Sequence, residues 1–113
     1  MRFEFHYKFE NLNDIICNSR ANVYKANNIK KKEMSYVASK IKNLKPIEEY
    51  PVKITAIWHV KDKRRDLDNM VLKNVLDAFV KEGILKNDSL KYINEIDYKA
   101  VVDNDIFLEL IIG

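Results

Sequence analysis

The sequence predicts an α+β (mixed α/β) fold, one domain over residues 1–113 with a mixed β-sheet covered by helices. Period-two alternation marks strands at both ends of the chain and in its middle, and helical spacing of apolar residues marks the segments between them. The bulk composition agrees: 113 residues, 47% hydrophobic and 33% charged, with only two Gly and two Pro, suit one modest core and leave nothing that reads as a linker.

Phe3, Phe5, Tyr7 and Phe9 alternate with Arg2, Glu4, His6, Lys8 and Glu10, the pattern of a strand with one buried face and with His6 pointing away from the core. Residues 12–28 mix short apolar stretches with Asn18, Ser19, Asn22, Asn27 and Asn28, which predicts a short helix followed by a polar, irregular segment. Met34, Val37, Ala38, Ile41 and Leu44 then give an amphipathic helix over residues 29–44. A strand follows from Val52 to Val60, with Val52, Ile54, Ala56, Trp58 and Val60 on one face. A helix starting near Asp66 or Asp68 buries Leu72, Val75, Leu76, Phe79 and Val80 and stops at Gly83. Two last strands, 92–102 and 106–112, flank Asp103-Asn104-Asp105 as a hairpin.

The net charge of +3 conceals an asymmetry. Residues 1–65 hold 15 Lys/Arg against 7 Asp/Glu, and residues 66–113 hold 5 against 10, so a +8 segment precedes a −5 segment. Two differently charged solvated faces would explain this; so would a basic surface for a polyanion beside carboxylates for a metal. The opening residues alternate charge with aromatics and lack the apolar run of a leader or membrane span, so the expectation is a cytoplasmic protein with no membrane partner. The lone Cys17, beside Ile15 and Ile16, has no disulfide partner in the chain and is expected to pack, as in a reducing compartment.

Asp66-Leu67-Asp68-Asn69 follows Lys63-Arg64-Arg65 at the predicted strand-to-helix junction. One Asp there suits capping of the first turn. Two at i and i+2 exceed what one cap needs, and hard cations such as Mg²⁺ or Mn²⁺ prefer such oxygen donors, supplemented by water and phosphate. A third acid has to come from elsewhere; Asp88, in Lys86-Asn87-Asp88-Ser89, would return beside the first pair after the helix, or would simply serve its own turn. Asn69, Lys73 and Asp77 fall at i, i+4 and i+8, a polar stripe on which Lys73 either meets a phosphate or pairs with Asp77. His59 reads as polar strand surface or, less simply, as a metal ligand.

Taken in order, Asp66-Leu67-Asp68-Asn69, Lys73, Asp77-Ala78-Phe79 and Asn87-Asp88-Ser89 resemble the signature of the RusA family of Holliday junction resolvases. The stretch Asn18 to Asn27, with Lys30 to Lys32, is also similar to the basic early segment of phage and prophage members. The resemblance covers most of the chain. It implies a RusA-like fold and a homodimeric, Mg²⁺- or Mn²⁺-dependent endodeoxyribonuclease that resolves four-way junctions by paired symmetrical nicks in DNA recombination and repair. It further implies that Asp66, Asp68 and Asp88 hold the metal and that Lys73 is the essential basic residue. Two departures stand out. Lys73 follows Asn69 by four residues where the family pattern has three, which a later helix start or a π-bulge would absorb. Asn87-Asp88 also replaces the two adjacent Asp of many members.

With DNA as substrate, Arg20, Lys25, Lys30, Lys31, Lys32, Lys63, Arg64 and Arg65 are the candidates for phosphate contact, since such contacts supply most of the affinity. Tyr24 and Tyr36 either stack on exposed bases or pack. The alternatives are a catalytically inactive protein that binds junctions or duplexes, and an accessory protein whose charged halves meet other proteins.

Overall fold

The computed structural model describes residues 1–64 and 66–113. Its elements run β1 (Arg2–Phe5), α1 (Leu12–Ala21), α2 (Val23–Ile41), β2 (Val52–Val60), a 3-10 turn (Leu67–Asn69), α3 (Lys73–Lys81), β3 (Ile93–Val102) and β4 (Phe107–Ile112). The four strands form one mixed sheet in the order β1-β4-β2-β3, with β2 and β3 parallel and the other pairs antiparallel. The α+β architecture is therefore as the periodicities predict.

β2 alternates as read: Val52, Ile54, Ala56, Trp58 and Val60 are buried, and Lys53, Thr55, Ile57 and His59 face the other way. On the buried side α2 contributes Val37 and Ile41, α3 contributes Val75, Leu76, Ala78 and Phe79, and the sheet adds Phe5, Leu108, Leu110 and Ile112. Phe79 meets Phe3 and Phe5 edge-on, at ring-centroid distances of 5.1 and 6.3 Å. The alternation begun in β1 ends as a strand at Phe5; Tyr7 and Phe9 leave the sheet and pack on Tyr36 instead.

Several elements differ from the sequence reading. β3 and β4 do not form a hairpin, because β2 lies between them. The Asp103 backbone N–H donates to the Val60 carbonyl at 2.8 Å, so the 103–106 connection crosses the end of β2 and delivers β4 to its far side. Burial explains the choice. β4, with Leu108, Leu110 and Ile112 buried, takes an inner position, while the charged β3 sits at an edge where unpaired backbone groups reach water.

The polar segment before residue 29 is helical, not irregular. Asn11 and Asp14 cap α1 reciprocally, and the Asn22 side chain accepts the Lys25 N–H at 3.2 Å to start α2. The asparagines are thus start signals rather than turn residues. α2 ends at Ile41, with Asn43 at φ 63° turning the chain out of the helix. The helix expected from Asp66 or Asp68 begins only at Lys73, after the 3-10 turn and an extended Met70. Gly83, at φ 76°, takes the left-handed position beyond α3 as expected. Cys17 is exposed and is not a packing residue. Among the described residues no helix is long and apolar enough to cross a membrane.

Candidate functional site

The acidic pair stands where the chain leaves β2. Asp66 precedes the 3-10 turn and Asp68 lies within it; both are exposed. The capping explanation fails for Asp66, whose side chain makes no cap hydrogen bond, and α3 starts behind Leu72 without any side-chain cap. Neither Asp66 nor Asp68 makes a side-chain hydrogen bond or ion pair with a described residue. Asn69, the last residue of the turn, is structurally committed, because its Oδ1 accepts the Asn13 N–H at 3.1 Å and so fills one orphan donor of the first turn of α1. That bond ties the acid-bearing turn to the helical layer.

Asp88 does not return to this pair. β2 and β3 are parallel, so the chain must travel from the Val60 end back to the Val52 end before β3 begins. Asp88 has completed that journey: the neighbouring Ser89 carbonyl accepts the Tyr92 and Ile93 N–H groups, and the Lys86 N–H donates to the Tyr50 hydroxyl. Met70, just past the acids, shares a cleft with Trp58 and Val60. At ~3.3 Å per residue, Trp58 and Val52 are about 20 Å apart. Among the described residues, no three His, Cys, Asp or Glu side chains are grouped closely enough to hold a metal ion. Asp66 and Asp68 by themselves fit a hard cation: oxygen donors, exposed and uncommitted within the described structure.

Lys73 is the first residue of α3, which starts later than the sequence reading expected. The expected stripe is correspondingly broken: Asn69 is not on α3. Lys73 approaches Asp77 at 3.8 Å, and Lys30 of α2 approaches the same carboxylate at 3.6 Å, so two cations converge on one acid. Both lysines line a cavity of about 220 Å³ with Glu10, Asn27 and Asn74.

The remaining basic candidates are spread over two regions. Arg20 lies in the last turn of α1, and Lys25, Lys31 and Lys32 are exposed on α2. Lys63 and Arg64 sit in the loop after β2, where the Arg64 guanidinium donates to Asp62 at 2.8 Å; that bond raises the Arg64 pKa. Arg65 lies outside the described residues. Tyr24 is exposed, whereas Tyr36 packs among Phe5, Tyr7 and Phe9.

No family model and no curated protein matches the chain.

Two polar clusters belong to no motif that the sequence displays. Glu33 is buried at 3% exposure; its Oε1 accepts Asn74 Nδ2 at 3.0 Å and its Oε2 accepts the Glu10 N–H at 3.3 Å. Burial raises the Glu33 pKa, opposed by those two hydrogen bonds and reinforced by the Glu10 charge; Glu10 is itself raised chiefly by burial. A signal existed: Glu33, Val37 and Ile41 share one helical face at i, i+4 and i+8, which puts an acid on the apolar stripe. The second cluster lies on the uncovered sheet face. His59 Nδ1 is 2.9 Å from Asp103 and Nε2 3.1 Å from Glu109, whose other oxygen holds Arg2 at 2.6 Å. The His59 bond holds the Asp103 carboxyl below its usual range. His59 therefore has both ring nitrogens engaged by carboxylates, which leaves neither for a metal.

Proposed function

We propose that the chain is a divalent-metal-dependent endodeoxyribonuclease acting on branched DNA, in the manner its resemblance to the RusA family implies. The observation that carries the reading is the exposed Asp66–Asp68 pair, unengaged by any described residue and set next to the basic loop that holds Lys63 and Arg64. Asp66 and Asp68 would hold Mg²⁺ or Mn²⁺, which in such sites activates water and neutralises charge on the phosphate. Lys63 and the α2 lysines supply non-specific phosphate attraction. Lys73, at the start of α3 and close behind the acids, is available to a phosphate once it exchanges its long contact with Asp77. Two coordinated nicks in a two-fold symmetric junction call for a two-fold symmetric homodimer.

One observation favours a second reading, binding of junctions without cleavage: Asp88 stands at the other end of the β2–α3–β3 crossover from the acidic pair. Cleavage decides between them. Under the first reading purified protein nicks synthetic four-way junctions with Mg²⁺ or Mn²⁺ and not with excess EDTA, and Asp68→Asn binds without cutting. Wild-type protein that shifts junctions in a gel with either metal and never nicks them establishes the second. Nicking that persists in EDTA refutes the metal-dependent mechanism.

A further inference from the structure

The sheet has two edges, and they differ. β1 is four residues long, whereas β3 runs ten residues, contains neither Pro nor Gly, and pairs with β2 on one side only. Natural proteins blunt such edges by shortness, proline, charge or cover, because a long open strand is a template for pairing with another chain. On β3 only charge is present, and it is of both signs: Glu95, Asp97 and Lys99. Residues 94–96 and 99–102 are exposed, and three of them are large and apolar, Ile96 at 46%, Val101 at 43% and Val102 at 53%.

The backbone shows which groups the open edge offers. The Asp103 N–H donates to the Val60 carbonyl, and in a ladder successive residues turn their N–H and C=O to opposite edges. Residues 95, 97, 99 and 101 are therefore spent on β2. Ile96, Tyr98, Ala100 and Val102 turn theirs outward.

We propose that this edge is the interface between two copies of the chain, with β3 pairing antiparallel to β3 of the partner subunit about a two-fold axis at Tyr98. The charges select that register. With Tyr98 opposite Tyr98 of the partner subunit, Asp97 faces Lys99 of the partner subunit, and the axis repeats the pair. A slip of one step toward the strand start sets Asp97 against its own copy, and a slip the other way sets Lys99 against its own copy. In the chosen register Ile96 and Ala100 of the partner subunit exchange both backbone hydrogen bonds, as do the two Tyr98 residues.

An axis perpendicular to the sheet joins the two sheets into one and keeps corresponding elements on the same face. The Leu67–Asn69 turn neighbours β3, so both acid-bearing turns lie near the axis and face the same way. This deepens the homodimer of the proposed function and rests on that reading for the dimer's use on DNA, while the strand edge carries the pairing itself.

The experiment is sedimentation of the full chain from micromolar to submillimolar concentration, with circular dichroism to check folding. Wild type is expected at twice the 13.4 kDa of one chain. Ala100→Pro removes an outward N–H and no bond to β2, so it should leave a folded monomer. Asp97→Lys and Lys99→Glu each set like charges opposite one another, and each should raise the dissociation constant at least about tenfold. Mixed in equal amounts, the two variants should form a heterodimer, because each then faces its complement at both positions.

A wild-type monomer at every concentration overturns the self-pairing and leaves the edge to a strand of another protein. A dimer untouched by Ala100→Pro and by both charge variants overturns this edge as the interface. Charge variants that separate but do not pair with each other overturn the register. Nicking of four-way junctions, scored on the same wild-type samples, keeps the two readings apart: a monomer that nicks removes the pairing alone, and a dimer that neither binds nor nicks junctions removes the DNA reading alone.

Discussion

Replacing Glu33 separates what its two hydrogen bonds contribute from what its charge costs. In Glu33→Ala the Asn74 amide and the Glu10 N–H lose their acceptor in a partly buried place. Leaving such donors unsatisfied costs about 1–3 kcal/mol each, and relief of the buried carboxylate offsets part of this, so a net loss of about 2 kcal/mol is expected at pH 7. For a domain of this size that lowers Tm by roughly 8–12 °C. Glu33→Gln keeps both contacts if the Asn74 amide flips: the new Nε2 donates to Asn74 Oδ1 and the new Oε1 accepts the Glu10 N–H. Its loss should stay below about 1 kcal/mol.

The pH dependence has a definite sign. The folded-state pKa of Glu33 is raised above its unfolded value, so between the two the native state binds more protons and stability falls as pH rises. The window opens near the unfolded value, about 4.3, and closes at the raised folded value. Glu33→Gln should remove that contribution. The assay is urea and thermal unfolding of the three proteins from pH 4 to 8. Alanine and glutamine variants of equal stability at pH 7, or an unchanged pH slope in Glu33→Gln, would refute the reasoning.

Other perturbations test neighbouring parts of the structure. Asn69→Ala removes the acceptor for the Asn13 N–H and should cost about 1 kcal/mol in thermal unfolding, whereas Asn69→Asp should restore most of it, since Asp is an equally good acceptor at a helix start. Asp103, whose folded pKa is depressed by His59, adds stability that is present above its unfolded value near 3.9 and lost as pH falls through the lower folded value. Acid titration of Asp103→Asn should therefore show a shallower loss of stability below about pH 4 than wild type, and parallel curves would exclude the linkage.

The sequence by itself determined the local periods. β2 and the buried faces of α2 and α3 were legible, because burying one face of a strand or helix imposes period 2 or 3.6 on the chain. Gly83 was legible too, since the left-handed position after a helix selects glycine. So was the Asp66–Asp68 pair as a local feature, because adjacent acids at a junction need no fold to be noticed. Helix starts were harder: Asn11 and Asn22 cap helices here, and asparagine serves turns equally well.

What only the tertiary structure decided was every relation between distant segments. β4 rather than β3 took the inner place beside β2, a choice between two strands that each carry apolar residues. The parallel pairing of β2 and β3 sent Asp88 away from Asp66 and Asp68, although their order along the chain matches the expected motif. Glu33, Asn74 and Glu10 met because three segments converge, as did His59 with Asp103 and Glu109. Local periodicity follows from one chain's own geometry, whereas the partner of each face is set by competition among all the faces at once.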